Sequence, residues 1–292
     1  MAVMRKVIGA DYDRVLPLLA KFRNPHLDEE SFRRLFVDHA GSGEGYHGFL
    51  VEDGDQVAGY IGCIFSRRRI RGHVHSICNI TSWIVDEKFR GHGHGLALFQ
   101  QVLGLEGTTI TALTPSTASS EVCRDKFGMT EFDASQRIIL PVPTFGGGAW
   151  RCRILSGAKN IEQALDEDGR RIVHDHPFPH VHHFLIRTDG GDCHVVVNRS
   201  RKRIRNWLHL PFARVHHISN VGVFLRTLGR LRLEVALRLG VFGLIVEDRY
   251  LAGARVPCSI LRREQRVAFM KSSMLGPSDI DGLYSELVFL NF

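Results

Sequence analysis

The segment from His75 to Gln101 constrains the fold of this chain more than any other. It begins with an apolar, β-branched and aromatic run that is typical of a buried strand. Gly91, Gly93 and Gly95 then alternate with two histidines, and apolar residues with helical spacing follow. The segment therefore predicts a strand, a glycine-rich turn and a helix.

The glycine-rich turn is suited to an anionic ligand. Glycine has no Cβ, so the backbone can approach a ligand closely, and a helix that begins near Gly95 directs free N–H groups to the same point. Arg90 adds a charged, forked donor. The pattern G-x-x-x-x-G-K-[ST] is absent, and Leu96 stands where the third glycine of G-x-G-x-x-G belongs. We therefore expect a ligand that carries a diphosphate but is bound by neither of these two motifs.

The spacing that fits is R-x-x-G-x-G, formed by Arg90, Gly93 and Gly95. Between a strand and a helix, this pattern resembles the acyl-coenzyme A loop of the GNAT acyltransferase superfamily. The resemblance implies that acetyl-CoA or another acyl-CoA is the co-substrate, that loop amides hold its pyrophosphate, and that backbone N–H groups of the preceding strand serve the thioester. The predicted cofactor-binding residues are Trp83, Ile84, Val85, Arg90, Gly91, His92, Gly93, His94 and Gly95.

The order of predicted elements extends the resemblance to residues 3–140. Periodicity predicts the order β-α-α-β-β-β-α-β-α-β, which is the layout of a GNAT domain. The implied fold class is α/β (α+β), with a mixed, mostly antiparallel sheet flanked by helices.

A second unit is expected after a linker. Prolines at 141 and 143 and three glycines at 146–148 favour a break in the chain. Residues 212–247 then repeat the strand, helix and strand pattern without an R-x-x-G-x-G sequence. We expect tandem domains: residues 1–143 bind acyl-CoA, and residues 144–292 form a degenerate GNAT-like domain that shapes the acceptor site. An unrelated α/β domain is the alternative for the second half.

The composition narrows the functional class. Apolar residues make up 44% of the chain, no apolar run approaches about 18 residues, and the start lacks the apolar core of a signal peptide. The six cysteines are scattered without a C-x-x-C pair, so we expect a cytoplasmic protein with no membrane partner. A net charge of +7 suits an anionic ligand. No aromatic stacking platform accompanies the basic run at residues 67–71, so we do not expect a nucleic-acid partner.

The resemblance implies direct transfer of the acyl group to an amine, but two positions differ from the family pattern. Asn79 stands where many members have a glutamate base, and Arg124 stands where many have a tyrosine, four residues before Gly128. Asparagine can orient a water but cannot accept a proton at neutral pH. On a strand His75 shares a face with Asn79 and titrates near neutrality, so it is a candidate base. The predicted catalytic residues are Asn79, His75, Arg124 and Cys123.

A histidine-rich segment at residues 174–183 is the densest group of metal-binding side chains. It contains two prolines and no H-E-x-x-H frame, so we expect no metal site. A loop that closes over the acceptor site and a plain interdomain loop are the remaining interpretations.

The leading hypothesis is an acyltransferase that moves an acetyl or other acyl group from coenzyme A to the amine of a small molecule, of which an amino sugar is one example. A homodimer is compatible with the sequence. The alternative is a coenzyme A-binding sensor that has lost turnover, because Asn79 and Arg124 depart from the catalytic pattern.

Overall fold

The computed structural model of the protein describes residues 2–22, 27–143, 150–205, 208–262 and 266–291. The glycines of the predicted linker, at 146–148, lie outside these ranges. Within them, fourteen strands form two seven-stranded sheets, flanked by helices. Both sheets are mostly antiparallel, which confirms the predicted fold class.

The first sheet has the strand order β1-β2-β3-β4-β5-β14-β6. Its strands are β1 (Val3–Lys6), β2 (Gly48–Asp53), β3 (Gln56–Ile70), β4 (His73–Val85), β5 (Thr108–Ala112), β6 (Thr130–Asp133) and β14 (Val267–Lys271). The helices of this half are α1 (Tyr12–Leu19), α2 (Glu29–Arg33), α3 (His94–Leu103) and α4 (Thr117–Glu121). The predicted strand, glycine turn and helix are therefore β4, residues 86–93 and α3.

The second sheet has the strand order β13-β7-β12-β11-β10-β9-β8. Its strands are β7 (Gln136–Ile139), β8 (Arg153–Ser156), β9 (Val181–Thr188), β10 (Gly191–Arg205), β11 (Leu208–Ile218), β12 (Leu244–Glu247) and β13 (Ser259–Leu261). The remaining helices are α5 (Ala158–Glu162), α6 (Glu167–Asp175), α7 (Val221–Leu239) and α8 (Glu286–Phe289).

Each sheet contains one parallel pair in the described residues, and a helix connects its two strands. In the first sheet β4 and β5 are joined by α3, and in the second β11 and β12 are joined by α7. A parallel pair needs such a crossover because its strands run in the same direction. The strand, helix and strand repeat that the sequence predicts is present in both halves.

Two strands lie in the sheet of the other half. β7 precedes residue 143 but pairs with β12 and β13, and β14 follows it but lies between β5 and β6. A boundary between residues 143 and 144 therefore does not separate the two sheets. The division into an acyl-CoA-binding and an acceptor-shaping domain stays a prediction.

The C-terminal segment fills the space between the halves. Residues 282–290 are all buried, and Leu283, Val288 and Phe289 belong to one apolar cluster with residues of both halves, such as Val15 and Val196. Burial of this much apolar surface makes the segment part of the core. Among the described residues, no helix is long and apolar enough to cross a membrane.

Candidate active site

β4 and β5 separate at their carboxyl ends and leave an opening in the first sheet. The paired residues run from Ser76, opposite Thr108, to Asn79, opposite Thr111. β4 then continues to Val85 without a paired residue in the described part of β5. A cavity of about 310 Å³ lies at this opening. Its walls are mainly apolar and aromatic, with Phe22, Leu27, Phe32, Ile80, Trp83, Phe99, Ala112, Pro115 and Leu290 among the lining residues.

A bulge in β4 faces this cavity. The pairing with β3 shifts between Tyr60 and Gly62, whose partners are Ile84 and Thr81. Ser82 lies in the bulge with φ 50°, which is uncommon for a residue other than glycine. The strand is therefore bent where it lines the cavity, a form of backbone strain that clusters at functional sites.

The glycine-rich turn at residues 86–93 has the geometry of an anion site. Gly91 and Gly93 have φ of 85° and 79°, a conformation that other residues rarely adopt. Gly93 is the N-cap of α3, and it has no side chain to cover the first N–H groups of the helix. No described atom lies within 4 Å of where a Cβ would stand at Gly91 or Gly93. The turn is therefore open on the side where a Cβ would stand at both glycines.

Contacts between the turn and β4 fix the turn beside the cavity. Trp83 donates from Nε1 to the carbonyl of Gly95 at 3.1 Å, and a Cβ at Gly95 would lie 3.4 Å from a methyl of Val85. Arg90 donates from Nε to the carbonyl of Val85 at 3.3 Å, while its side chain stays 62% exposed. Nη1 of Arg90 also lies 3.8 Å from Oε1 of Glu87. An exposed guanidinium three residues before the N-cap of α3 is compatible with a diphosphate ligand.

The two histidines of the turn lie at its surface. The rings of His92 and His94 stack with centroids 5.9 Å apart, and Nδ1 of His92 lies 3.3 Å from the carbonyl of Phe89. Their position beside the turn agrees with the predicted contact with a cofactor, which stays a prediction.

A buried carboxylate that the sequence patterns do not single out lines the cavity together with several hydroxyl side chains. Glu286 is only 3% exposed and accepts hydrogen bonds from Nδ2 of Asn79 and the hydroxyl of Thr114. The hydroxyl of Thr111 donates to Oδ1 of Asn79 at 3.1 Å. Burial raises the pKa of Glu286 above its ordinary value. Among the described lining residues it is the one carboxylate.

Comparison with known proteins agrees with this geometry. Residues 12–106 match the family model described as the acetyltransferase (GNAT) family. These residues form a GNAT domain. The family and the fold support acyl transfer in general.

Solved structures with the GNAT fold resemble both halves of the chain. A GCN5-related N-acetyltransferase from Anabaena variabilis has a TM-score of 0.59 and 13% identity over 92% of this chain and 72% of its own. A putative acetyltransferase from Pyrococcus horikoshii has a TM-score of 0.55 and 15% identity over 96% and 92%. At such identities the likeness shows the fold alone. No curated protein gives a significant match to the sequence.

One of the four predicted catalytic residues lines the cavity, and a second contacts a lining residue. Cys123 lines it, although burial raises the pKa of this thiol to about 11. Asn79 lies behind the lining and donates to Glu286. His75 is four residues before Asn79, about 13 Å along the strand, and does not line the cavity in the described residues. Arg124 binds Glu131 at the surface and lines a neighbouring cavity.

The histidine-rich segment packs against the C-terminal segment instead of the GNAT domain's cavity. Nδ1 and Nε2 of His176 lie 2.8 and 2.9 Å from the carbonyls of Ile172 and Leu283, and Nε2 of His180 lies 2.7 Å from that of Val288. Within the described ranges, no group of three or more metal-binding side chains is present. These histidines hold the carbonyls of a buried segment, which is a structural role.

Proposed function

We propose that the protein is an acyl-CoA-dependent acyltransferase that moves an acetyl or other acyl group from coenzyme A to the amine of a small molecule. The observation that carries the proposal is the placement of Glu286, a buried carboxylate, in the cavity beside the anion-binding turn of the GNAT domain. The side of the cavity next to the turn thus suits the acyl-CoA donor. Glu286 suits the role of acceptor for the proton that the amine must lose.

The turn and β4 would hold the donor. The first amides of α3 and the guanidinium of Arg90 would bind the diphosphate, and backbone N–H groups from Trp83 to Val85 lie where β4 has left β5. When bound, acyl-CoA supplies the thioester carbonyl that an amine attacks. The apolar walls exclude water from that point, which strengthens nearby electrostatic interactions.

Glu286 would accept the proton from the acceptor amine. A carboxylate whose pKa is raised toward neutrality is a better general base than an ordinary one. Asn79 and Thr114 hold both of its oxygens, so Asn79 acts by positioning the base. Among the described residues, neither His75 nor Arg124 lines the cavity, so we assign the proton transfer to Glu286.

The lining of the cavity combines apolar contact surface with hydroxyl groups. Phe22, Leu27, Phe32, Phe99 and Leu290 supply the apolar surface, and Thr81, Ser82, Thr114, Ser116 and Ser119 supply the hydroxyls. Among the described lining residues, Glu286 supplies the one negative charge that an ammonium group would approach. An amino sugar and a homodimer both stay predictions.

The second candidate is a coenzyme A-binding sensor without turnover. It rests on Asn79, which cannot act as a base. Glu286 replaces the missing carboxylate from another part of the chain, which favours the enzyme.

The test combines binding and turnover. A ligand that binds only the native state at about 100 times its dissociation constant adds roughly 2.7 kcal/mol to the free energy of unfolding, so acyl-CoAs should raise the unfolding temperature. Release of free thiol from acetyl-CoA is then measured with a panel of amines with aromatic, aliphatic and sugar bodies. Turnover that requires an amine supports the enzyme, binding without turnover supports the sensor, and no binding contradicts both.

A further inference from the structure

A second and larger cavity, of about 800 Å³, lies at the corresponding opening of the second sheet. In the described residues, β11 and β12 pair at Ala213 with Leu244 and at Arg214 with Ile245, after which β11 continues to Ile218. Its lining includes Ser219 and Val221, which begin the crossover to α7, and Arg249 and Tyr250, which follow β12. The cavity therefore occupies the place in the second sheet that the proposed active site occupies in the first.

This cavity is not built for coenzyme A. Ser219 and Asn220 alone separate β11 from α7, whereas residues 86–93 form the turn before α3. No glycine-rich turn is present to surround a diphosphate, and Asn220 caps α7 by accepting the N–H of Val223 at 3.1 Å. The ligand must be recognised differently.

One arginine that lines the cavity has no carboxylate partner among the described residues. Each of the five aspartates that line the cavity has a partner. Asp166 accepts the N–H of Gly169. The other four form ion pairs: Asp168 with Arg69, Asp192 with Arg187, Asp279 with Arg71, and Asp281 with Arg68. Two further arginines bind carboxylates outside it, as Arg171 with Asp175 and Arg249 with Glu247. Arg67 is exposed and has no carboxylate partner among the described residues. Five arginines and five aspartates line the cavity in the described residues, so their formal charges balance, and Arg67 is the lining cation that remains available to an anion.

A buried histidine points to a ligand independently of the charges. His194 lines the cavity, is 3% exposed, and has Nε2 3.2 Å from Nδ1 of His183. Its own Nδ1 is buried and has no hydrogen-bond partner among the described residues. Buried polar atoms are almost always paired, so this nitrogen is a group that a ligand or a water would satisfy.

The surroundings of His194 are fixed in place. The hydroxyl of Ser219 accepts the backbone N–H of His194 at 2.8 Å. The ring of His217 lies 5.9 Å from that of His194, and Oδ2 of Asp281 holds its Nδ1 at 2.8 Å. Arg68 in turn binds both oxygens of Asp281. The polar floor is therefore preorganised by contacts from both sheets.

We propose that this cavity binds a small molecule that carries a carboxylate or a phosphate. Its oxyanion would interact with Arg67, the lining arginine without a carboxylate partner among the described residues. Nδ1 of His194 would pair with a polar atom of the same ligand. The proposal goes beyond acyl transfer and does not depend on it.

Calorimetric titration with inorganic phosphate and, separately, with succinate distinguishes the two kinds of oxyanion. We expect saturable binding of at least one, weakened tenfold or more in Arg67→Ala and in His194→Phe. The matched control is Arg201→Ala, which replaces an exposed arginine near the end of β10 that is distant from His194. This variant should bind the anion with wild-type affinity. Histidine ring ¹⁵N shifts should move for His194 when the bound anion is added.

Phosphate can also bind the glycine-rich turn, so the titrations are repeated on Arg90→Ala. A site in the second cavity loses affinity in Arg67→Ala but not in Arg90→Ala, while acyl-CoA binding follows the opposite pattern. No saturable binding of either anion, or equal affinity in wild type and Arg67→Ala, would overturn the proposal. Because Arg67 is exposed, its variant should fold even if His194→Phe does not, and thermal unfolding of each variant checks this.

Discussion

Asn79 lies in the middle of β4, and its side-chain amide links two distant parts of the chain. Its oxygen accepts from Thr111 in β5, and its nitrogen donates to Glu286 in α8. Both ends of the amide are therefore satisfied in a site that is 1% exposed. Glu286 therefore places a carboxylate beside position 79, where the resemblance to the GNAT family implies one.

Glu286→Gln tests the proposed base. Glutamine keeps the shape of the side chain but cannot accept a proton, so we expect kcat to fall by about 10²–10⁴-fold. Acyl-CoA binding, followed by thermal shift, should change little because the turn at residues 86–93 is unaltered. Asn79→Ala should lower kcat by less, since it removes a positioning contact. Unchanged turnover in Glu286→Gln would contradict the assignment.

The pH dependence of the rate should carry the raised pKa of Glu286. The base works only when ionised, so kcat/KM should fall as pH decreases through that pKa, at a midpoint above the ordinary value of about 4.3. This decrease at low pH should be absent from the residual activity of Glu286→Gln. A midpoint at or below the ordinary glutamate pKa would show that another group limits the rate.

Two glycines with the same backbone conformation allow an effect on stability to be distinguished from an effect on acyl-CoA binding. Gly93 and Gly72 have φ of 79° and 82°, and neither has a described atom within 4 Å of a built Cβ. Alanine at either site should cost about 1–2 kcal/mol of stability, measured by denaturant unfolding. Only Gly93→Ala should also weaken acyl-CoA binding, because the other glycine lies in the β3–β4 turn. Equal binding by both variants would remove the turn as the cofactor site.

At the scale of elements, sequence patterns predict the strands and helices whose determinants are close together in the sequence. The apolar run before Asp86 gives β4, and the leucine-rich stretch before Gly240 gives α7, whose N-cap Asn220 accepts the N–H of Val223. The positions of β7 and β14 are not encoded near those strands, because their partners are more than 100 residues away. Glu286 escapes the sequence patterns for the same reason: its hydrogen-bond partners are 207 and 172 residues distant.

The two crossover helices end differently, and this difference can be measured. Gly240, the C-cap of α7, has φ 60°, whereas Gly104, the C-cap of α3, has φ −81°. Alanine should therefore destabilise the protein by about 1 kcal/mol at Gly240 and by little at Gly104. Chemical denaturation of both variants is the measurement, and equal losses would show that the left-handed cap is not the cause.

At the scale of the whole molecule, one buried ion pair connects the sheets. Asp281 binds Arg68 of β3 at 2.6 Å and His217 of β11 at 2.8 Å. Burial acts to raise the pKa of Asp281, but the charges and hydrogen bonds of Arg68 and His217 outweigh it and hold the pKa well below its usual range. The contact therefore stabilises the fold above the ordinary aspartate pKa of about 3.9, and this contribution is lost as pH falls through the lowered pKa.

Asp281→Asn should cost about 3–5 kcal/mol, because it leaves Arg68 buried without its counter-charge. Unfolding in denaturant at neutral pH measures the loss. Asp168→Asn, which removes an exposed ion pair with Arg69 at 3.5 Å, is the control and should cost less than 1 kcal/mol. Similar losses in the two variants would mean that the buried pair does not join the halves energetically.

The place of β14 has a consequence for biosynthesis. The ribosome synthesises β5 and β6 long before residues 267–271, which form β14. Both strands pair with β14 in the folded sheet. The nascent first sheet therefore carries unpaired strand edges through about half of the translation of the chain, and such edges are templates for aggregation. Nascent chains stalled before residue 267 should depend on chaperones, and the released full-length chain should not.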